Sequence, residues 1–387
     1  MKPTSLVAAA AAGLLFLTGC GTSDGGSSGV DDSTITVGFL GNLTGDASGP
    51  YGKPFQNGME LAIADIEKSG VLDDAGLDLK VLTEDTGSEL STAVTKYNGF
   101  RNKDVDIVVS DSISTIAAGL APLATSDKVP FLTGSGSPIE NSEGYGFHLA
   151  DLDTPMTTLG EQMAEQGLRK VIAVVDGDNP SFKTMAKSFE KGMKGAGGAG
   201  LIDTVTVTAA DTDFSSLMTK IQSSGADGVF ISLLPEGSGN VVRQMEQYGG
   251  LDDVEPIGTI AWSGQVYEVA EDAAVGIRFA LPWAPGLPSS AEFEEAYVAK
   301  YDAEPNAYSA IGYETAWLIA QAAVMAADDG AVSAEALKDA LPDASTSEVL
   351  AERGVIDDFS LDAAGDPSYP GTVATFDDGG QIVAATD

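Results

Sequence analysis

The chain has 387 residues, 43% of them apolar, with 20 Lys and Arg against 58 Asp and Glu, a formal charge of −38. That length fits two lobes better than a single core. The charge excludes nucleic acid as a partner, since such binding needs clustered cations, and it opposes adsorption to anionic lipid. The acids are spread along the whole chain and read as a solvated shell.

Met1-Lys2 is followed by an apolar run from Leu6 to Leu17. One positive charge and then about 12 apolar residues is the order of a secretory signal, too short to cross a ~30 Å hydrocarbon layer. The run ends Leu17-Thr18-Gly19-Cys20, which resembles the lipobox of bacterial lipoproteins. The resemblance implies cleavage behind residue 19 and lipidation of the Cys20 sulfur. Cys20 is the only cysteine, so no intrachain disulfide forms, and lipidation accounts for a lone thiol in an exported chain. Residues 20–33 are rich in Gly and Ser and read as a flexible tether.

Beyond the tether, Ile35 to Leu40 reads as a buried strand and Gly41 to Pro54 as a loop. Phe55 to Lys68 reads as a helix, because Met59, Ala62, Ile63 and Ile66 recur on one face. Strands are expected at Leu77 to Leu82, Val105 to Ser110 and Val129 to Thr133, with helices at Leu90 to Asn102 and Thr115 to Ser126. The alternation restarts at Lys170. Strands follow at Val171 to Val175, Ile202 to Thr208, Gly228 to Leu233, Pro256 to Ile260 and Gly276 to Leu281. Helices lie between them at Phe182 to Ala196, Phe214 to Ser224 and Gly239 to Tyr248. Two more helices, Ala291 to Tyr301 and Tyr308 to Asp328, precede strand-like segments at Gly354 to Phe359 and Thr372 to Phe376. Such alternation argues for α/β lobes with parallel sheets.

From Ile35 onward the order resembles the type I periplasmic binding proteins, above all the branched-chain amino-acid receptors of ABC importers. The resemblance is carried by Ile35 to Leu43 with Gly45 and Tyr51-Gly52; by Gly58-Met59-Glu60-Leu61-Ala62; by Asp213-Phe214-Ser215-Ser216-Leu217; and by Ala307-Tyr308-Ser309-Ala310-Ile311-Gly312-Tyr313-Glu314. It implies two doubly wound lobes joined by a three-segment hinge, with ligand in the cleft between them. One lobe would hold residues 34–150 and 283–365, the other 151–282 and 366–387. Ligands of open α/β sheets sit beyond the carboxyl ends of the strands.

The first site candidate is Ser110-Asp111-Ser112-Ile113-Ser114-Thr115, between a strand and a helix. By the resemblance, Ser112 sits where amino-acid receptors place a hydroxyl on the ligand carboxylate. Hydroxyls and free N–H groups at a helix start favour an anion without a cation. The alternative is that Ser112 or Ser114 only caps the helix. The second candidate is Thr133-Gly134-Ser135-Gly136-Ser137-Pro138, with Ser135 in register with the family's second hydroxyl; the alternative is an ordinary Ser/Gly turn. Tyr51 and Tyr308 match family aromatics, and Phe182 and Glu236 stand in second-lobe loops that resemble those closing over ligand. The chain departs from the pattern at Thr259-Ile260-Ala261-Trp262-Ser263-Gly264, where amino-acid receptors carry an acid for the ligand ammonium. Trp262 offers an apolar wall there instead; Asp111 or Glu236 could supply the charge. The ligand is therefore left open among an amino acid, an amide and a small carboxylic acid.

His148 is the only histidine and reads as structural, there is no G-x-S-x-G elbow, and acidic pairs such as Asp73-Asp74 and Asp252-Asp253 read as solvated turns. No enzyme, metal or cofactor is expected. The resemblance implies a monomeric solute receptor outside the cytoplasm, anchored to the membrane through Cys20 and serving a permease. A sensor of the same fold is the alternative.

Overall fold

The computed structural model describes residues 33–385 apart from positions 46, 138, 140–142, 209, 250, 252 and 331; the signal and Cys20 lie outside the described residues. Strands β1 (Thr34–Gly41), β2 (Asp78–Asp85), β3 (Ile107–Ser110), β4 (Phe131–Thr133) and β5 (Gly146–His148) form a parallel sheet in the order β2-β1-β3-β4-β5. Strands β6 (Lys170–Asp176), β7 (Gly200–Val207), β8 (Gly228–Ser232) and β9 (Glu255–Ile257) form a second, in the order β7-β6-β8-β9. Every residue of β3 and of β8 is buried, as expected of strands covered by helices on both faces. Strand β10 (Phe279–Leu281) joins the second sheet through a bridge between Ile257 and Arg278. After a small hairpin, β11 (Ser360–Leu361) with β12 (Pro367–Ser368), strand β13 (Thr372–Phe376) adds antiparallel to β10, and β14 (Ile382–Ala384) adds antiparallel to β13.

The chain passes between the two cores more than once. Behind β5, helix Thr154–Glu165 packs on helix Pro180–Gly195 of the second lobe. Trp283, just beyond β10, is buried in the first core, and so is Tyr369, just before β13.

In each lobe one pair of helices approaches more closely than side chains allow. A Cβ on Gly58, in helix Lys53–Ser69, would lie 1.9 Å from the Ser309 carbonyl oxygen, and one on Gly312, in helix Ala307–Asp328, 2.1 Å from that of Phe55. The second lobe repeats the device: Gly160 would meet the Phe189 carbonyl at 2.2 Å and Gly192 that of Thr157 at 1.9 Å. Two of these glycines, Gly58 and Gly312, lie in the phrases that carried the family resemblance.

The sequence reading differs from the structure at particular places. Strand β5 and helices Thr154–Glu165, Gly264–Ala270, Ala334–Ser345 and Glu348–Arg353 were not expected. Helix Pro235–Tyr248 starts four residues early, because Pro235 is pre-set for a first helical turn. Gly354 to Phe359 is not a strand. Val355, Ile356 and Phe359 are buried, but the N–H groups of Val355 and Ile356 donate to the Glu314 carboxylate, at 2.8 and 3.2 Å, instead of to a ladder. Glu314 is 2% exposed, and burial pushes its carboxyl up to about 7 despite those two donors.

Two outcomes are expected. Gly58→Ala should cost about 2 kcal/mol or more, since a methyl group meets rigid backbone; Gly99→Ala, with open space around its Cβ inside helix Leu90–Phe100, should be neutral or stabilising by up to about 1 kcal/mol in the same urea titration. For Glu314, the native state keeps a proton that the unfolded chain sheds near its ordinary value of 4.5. Its contribution is thus full below that pH and is lost as pH rises toward 7. The melting temperature of Glu314→Gln relative to wild type should therefore climb between about pH 5 and 8. A flat difference would contradict this reading.

Candidate functional site

In the first sheet the order of strands reverses between β1 and β3, and in the second between β6 and β8. The loops behind those four strands border the crevice where open α/β sheets take ligands. They carry Tyr51 behind β1, Asp111 and Ser112 behind β3, Ser181 and Phe182 behind β6, and Glu236 behind β8.

A latch at the ends of β1, β2 and β3 fixes the floor. Asn42 donates through its backbone N–H to Asp111 Oδ2 at 2.7 Å and through Nδ2 to Asp111 Oδ1, while Thr86 Oγ1 donates to Asn42 Oδ1 at 2.6 Å. Burial pushes the Asp111 carboxyl up to about 6, against donors that also include the N–H groups of Ser112 and Ile113. Both of its oxygens are occupied. Asp111 therefore shapes the loop from behind and is not free to meet a ligand charge.

The aromatic wall rests on Asn306. Its Oδ1 accepts from the N–H groups of Tyr308 and Ser309 in a capping box, starting helix Ala307–Asp328, and its Nδ2 donates to the Pro50 carbonyl at 3.2 Å. One residue thus ties the Tyr51 loop to the helix of Tyr308. The two rings meet edge to face with centroids 4.8 Å apart. Burial raises both phenols above their ordinary value, with the Ser112 side chain beside Tyr308 working the other way. Tyr51, Ser112 and Tyr308 are brought together as a half-buried patch.

Serine hydroxyls continue the surface. Ser114 starts helix Ser114–Asp127, which has no side-chain cap; Ile116 and Ala117 both bond the Ile113 carbonyl, so the Ser114 and Thr115 N–H groups are the orphans of that turn. Ser137 donates to Ser114 at 2.8 Å, and Ser135 lies 3.0 Å from Ser114. Ser137 has a single proton, so its 3.2 Å contact with Ser181 is a bond that Ser181 donates. Ser181 belongs to the second lobe, on helix Pro180–Gly195, held by an Asn179 cap. The hydroxyl chain therefore crosses from one lobe to the other. When Ser135 donates to Ser114, the Ser114 proton is left for a third partner.

The remaining candidates are placed differently. Thr133 is fully buried; its hydroxyl donates to the Asp111 carbonyl and accepts from Ser110 and from the Ser135 N–H, so it packs the loop. Gly134 lets that loop press on Phe55, whose ring a Cβ would meet at 2.9 Å. Ser135 is 1% exposed and reaches the cleft only through Ser114. Phe182 lies in the second-lobe core with Met185 and Phe189, not over the cleft. Glu236 is exposed in the first turn of its helix. Trp262 is a correction: it is buried between Phe279 and Phe376, centroids 5.4 and 6.4 Å away, in space that Gly258 leaves free. It supports the second lobe and does not wall the cleft. His148 is structural, accepting from the Ile139 N–H at Nε2 and meeting the Ser135 carbonyl at Nδ1. Ser114, Ser137 and Ser181 stood in candidate loops without being singled out as contacts, and Asn42 and Asn306 were not among the sequence candidates. Of those two, Asn306 carried a signal, an Asn three residues ahead of Ser309 at a helix start.

Residues 34–381 match the model of a periplasmic binding protein family. The chain belongs to that family. It is 25% identical over 355 residues to the Leu/Ile/Val-binding protein homolog 1 of Brucella abortus (strain 2308), covering 90% of this chain and 91% of that one. Among solved structures it resembles the branched-chain amino-acid substrate-binding protein LivJ of Streptococcus pneumoniae in complex with isoleucine (TM-score 0.70, 24% identity, 91% of this chain and 98% of that one). It also resembles an ABC transporter solute-binding protein of Rhodopseudomonas palustris BisB5 in complex with 3,4-dihydroxybenzoic acid (TM-score 0.67, 20% identity, 92% and 97%). This binding protein is of type I, two doubly wound lobes, and its relatives are solute-binding components of ABC transporters and not enzymes. Among the described residues no cluster of His, Cys, Asp or Glu could hold a metal, and no helix is long and apolar enough to cross a membrane.

Proposed function

We propose that this protein captures a small organic solute bearing a carboxylate between its lobes and delivers it to the permease of an ABC importer, outside the cytoplasm. The observation that carries the reading is the convergence at the start of helix Ser114–Asp127. Two orphan N–H groups, the Ser112 and Ser114 hydroxyls and the Tyr51–Tyr308 edge meet there, and a hydroxyl chain runs on to Ser181 of the facing lobe. Such a site holds an anion by charge-assisted hydrogen bonds and by the helix dipole, with no lysine or arginine needed. Closure of the lobes would bury the solute and give the permease a distinct shape to read. The names of the relatives support the solute class: amino acids in one group, an aromatic acid in another. The three chain segments between the cores, near residues 150, 282 and 370, are the proposed hinge.

Binding is expected to be one to one by calorimetry with a panel of small carboxylates, among them leucine, isoleucine and 3,4-dihydroxybenzoate. Ser112→Ala with Ser114→Ala should weaken it at least tenfold, about 1.4 kcal/mol or more for two hydrogen bonds. Unchanged affinity would remove these residues from the site, and a panel without a single binder would sink the solute reading.

The proposed anchor is lipid on Cys20, behind the Leu17-Thr18-Gly19 lipobox. Cys20→Ser should move the protein from the membrane fraction to the soluble one and remove the acyl mass from its N-terminal peptide; a membrane-bound variant would contradict the anchor.

A further inference from the structure

The chain carries 20 Lys and Arg, and they are not spread evenly. Residues 169–194 hold six of them, Arg169, Lys170, Lys183, Lys187, Lys191 and Lys194, against three of the 58 acids. Four of the six lie on helix Pro180–Gly195. Spacings of four, four and three residues put these lysines in one row along a single face, about 16 Å from first to last. All four are exposed. The opposite face carries Phe182, Met185, Phe189 and Met193, which are buried in the second-lobe core. Gly192 seats the helix against the Thr157 carbonyl, so the row is held facing outward. Past the helix end, the Ala199 N–H donates to the Arg169 carbonyl at 2.9 Å, which brings Arg169 and Lys170 to that end.

The fold makes little use of this charge. No ion pair among the described residues involves Lys183 or Lys187. Lys183 donates to the Gly177 carbonyl at 2.6 Å. Lys191 meets Asp153 at 3.4 Å with both side chains more than half exposed, and Lys194 meets Glu190 of its own helix at 2.6 Å. Exposed pairs of this kind add little stability. The acids beside the row are Asp153, Glu190 and, near its end, Glu161, whose Oε1 lies 3.7 Å from where Gly195 would carry a Cβ. Solubility does not account for the row either, because elsewhere this chain supplies acids for that purpose.

We propose that this lysine row rests on the anionic phosphodiester headgroups of the membrane and sets the orientation of the anchored protein; this rests on the lipid anchor at Cys20. Residues 20–33 reach about 20 Å in root-mean-square length, so the bilayer is the large surface that the anchored domain meets first. The tether joins the first lobe at β1, and the row lies on the second. Lipid therefore holds one lobe and charge turns the other toward the surface. At physiological salt a surface charge is felt over about 8 Å. Headgroups thus sense the face nearest them and not the total of −38. The lysine face is attracted, and the acidic faces are repelled. The negative charge of the whole molecule sharpens the choice of face. A fixed orientation presents one side of the receptor to a permease in the same bilayer.

The test is amine acetylation, read by mass spectrometry, on the full lipidated protein in phosphatidylcholine vesicles with and without phosphatidylglycerol. With phosphatidylglycerol, labelling of Lys183, Lys187, Lys191 and Lys194 should fall at least threefold, and about 0.5 M salt should abolish the difference. Labelling of Lys53 and Lys300, exposed on the first lobe, should not change. Lys187→Gln with Lys194→Gln should weaken the protection of Lys183 and Lys191 and leave solute affinity in solution unchanged. Lipidated protein whose four lysines label equally in both vesicles, or whose exposed lysines are all protected alike, overturns the proposal and leaves the anchor standing. An N-terminal peptide without acyl mass overturns both. Protection found in native membranes but not on lipid vesicles assigns the row to an acidic protein partner, which also overturns the proposal.

Discussion

The geometry of the cleft depends on how closely two helices of the first lobe can approach. Gly58 sits on the Ser309 carbonyl and Gly312 on that of Phe55, with no room for a methyl group at either place. That crossing sets Tyr308, at the start of one helix, against Tyr51, just ahead of the other. Asn306 then locks the relation by capping one helix and holding Pro50 in the loop before the other. The second lobe uses Gly160 and Gly192 in the same manner, and the first turn of the helix so placed carries Ser181, whose hydroxyl meets Ser137 of the first lobe. Dense backbone packing is thus what gives a hydroxyl-lined surface its definition.

The protein is strongly acidic, yet only a few acids are buried, and they act differently. Asp111 takes donors on both oxygens and Glu314 takes two on one oxygen, and they act as internal pins, one for the Ser112 loop and one for the turn at Val355. Asp85 is a third pin at the surface. Burial works to raise its carboxyl, but the Thr44 hydroxyl and the N–H groups of Gly87, Leu43 and Thr44 outweigh it and hold it below the ordinary value. Asp151 is left half-satisfied at the crossover. A site that grips an anion with neutral donors needs no lysine or arginine. It can therefore work inside a molecule of large negative charge.

Much of the fold was legible because its central strands are continuous apolar runs, and β1, β6 and β8 stand where Ile35 to Leu40, Val171 to Val175 and Gly228 to Leu233 put them. Helix Thr154–Glu165 was missed because its buried face mixes Met156, Leu159 and Met163 with Gly160, a small residue that reads as a breaker. Gly354 to Phe359 was misread because burial of Val355 and Ile356 is served by a carboxylate, which no local pattern encodes. The same limit applied to the site. Tyr51, Ser112 and Tyr308 came from order along the chain and do meet. Trp262 and Phe182 lie in the expected segments but turn into the core. The partners of Ser137 and of Asp151 are set by contacts between distant segments, so spacing could not reveal them.

The most direct test of this account is a crystal structure of the protein with a solute bound. The account predicts density between the lobes, with a carboxylate on the Ser114 and Thr115 N–H groups, the Tyr51–Tyr308 edge beside it and Ser181 drawn in from the facing lobe. A bound solute that lies elsewhere, or that leaves the start of helix Ser114–Asp127 to water, would contradict it.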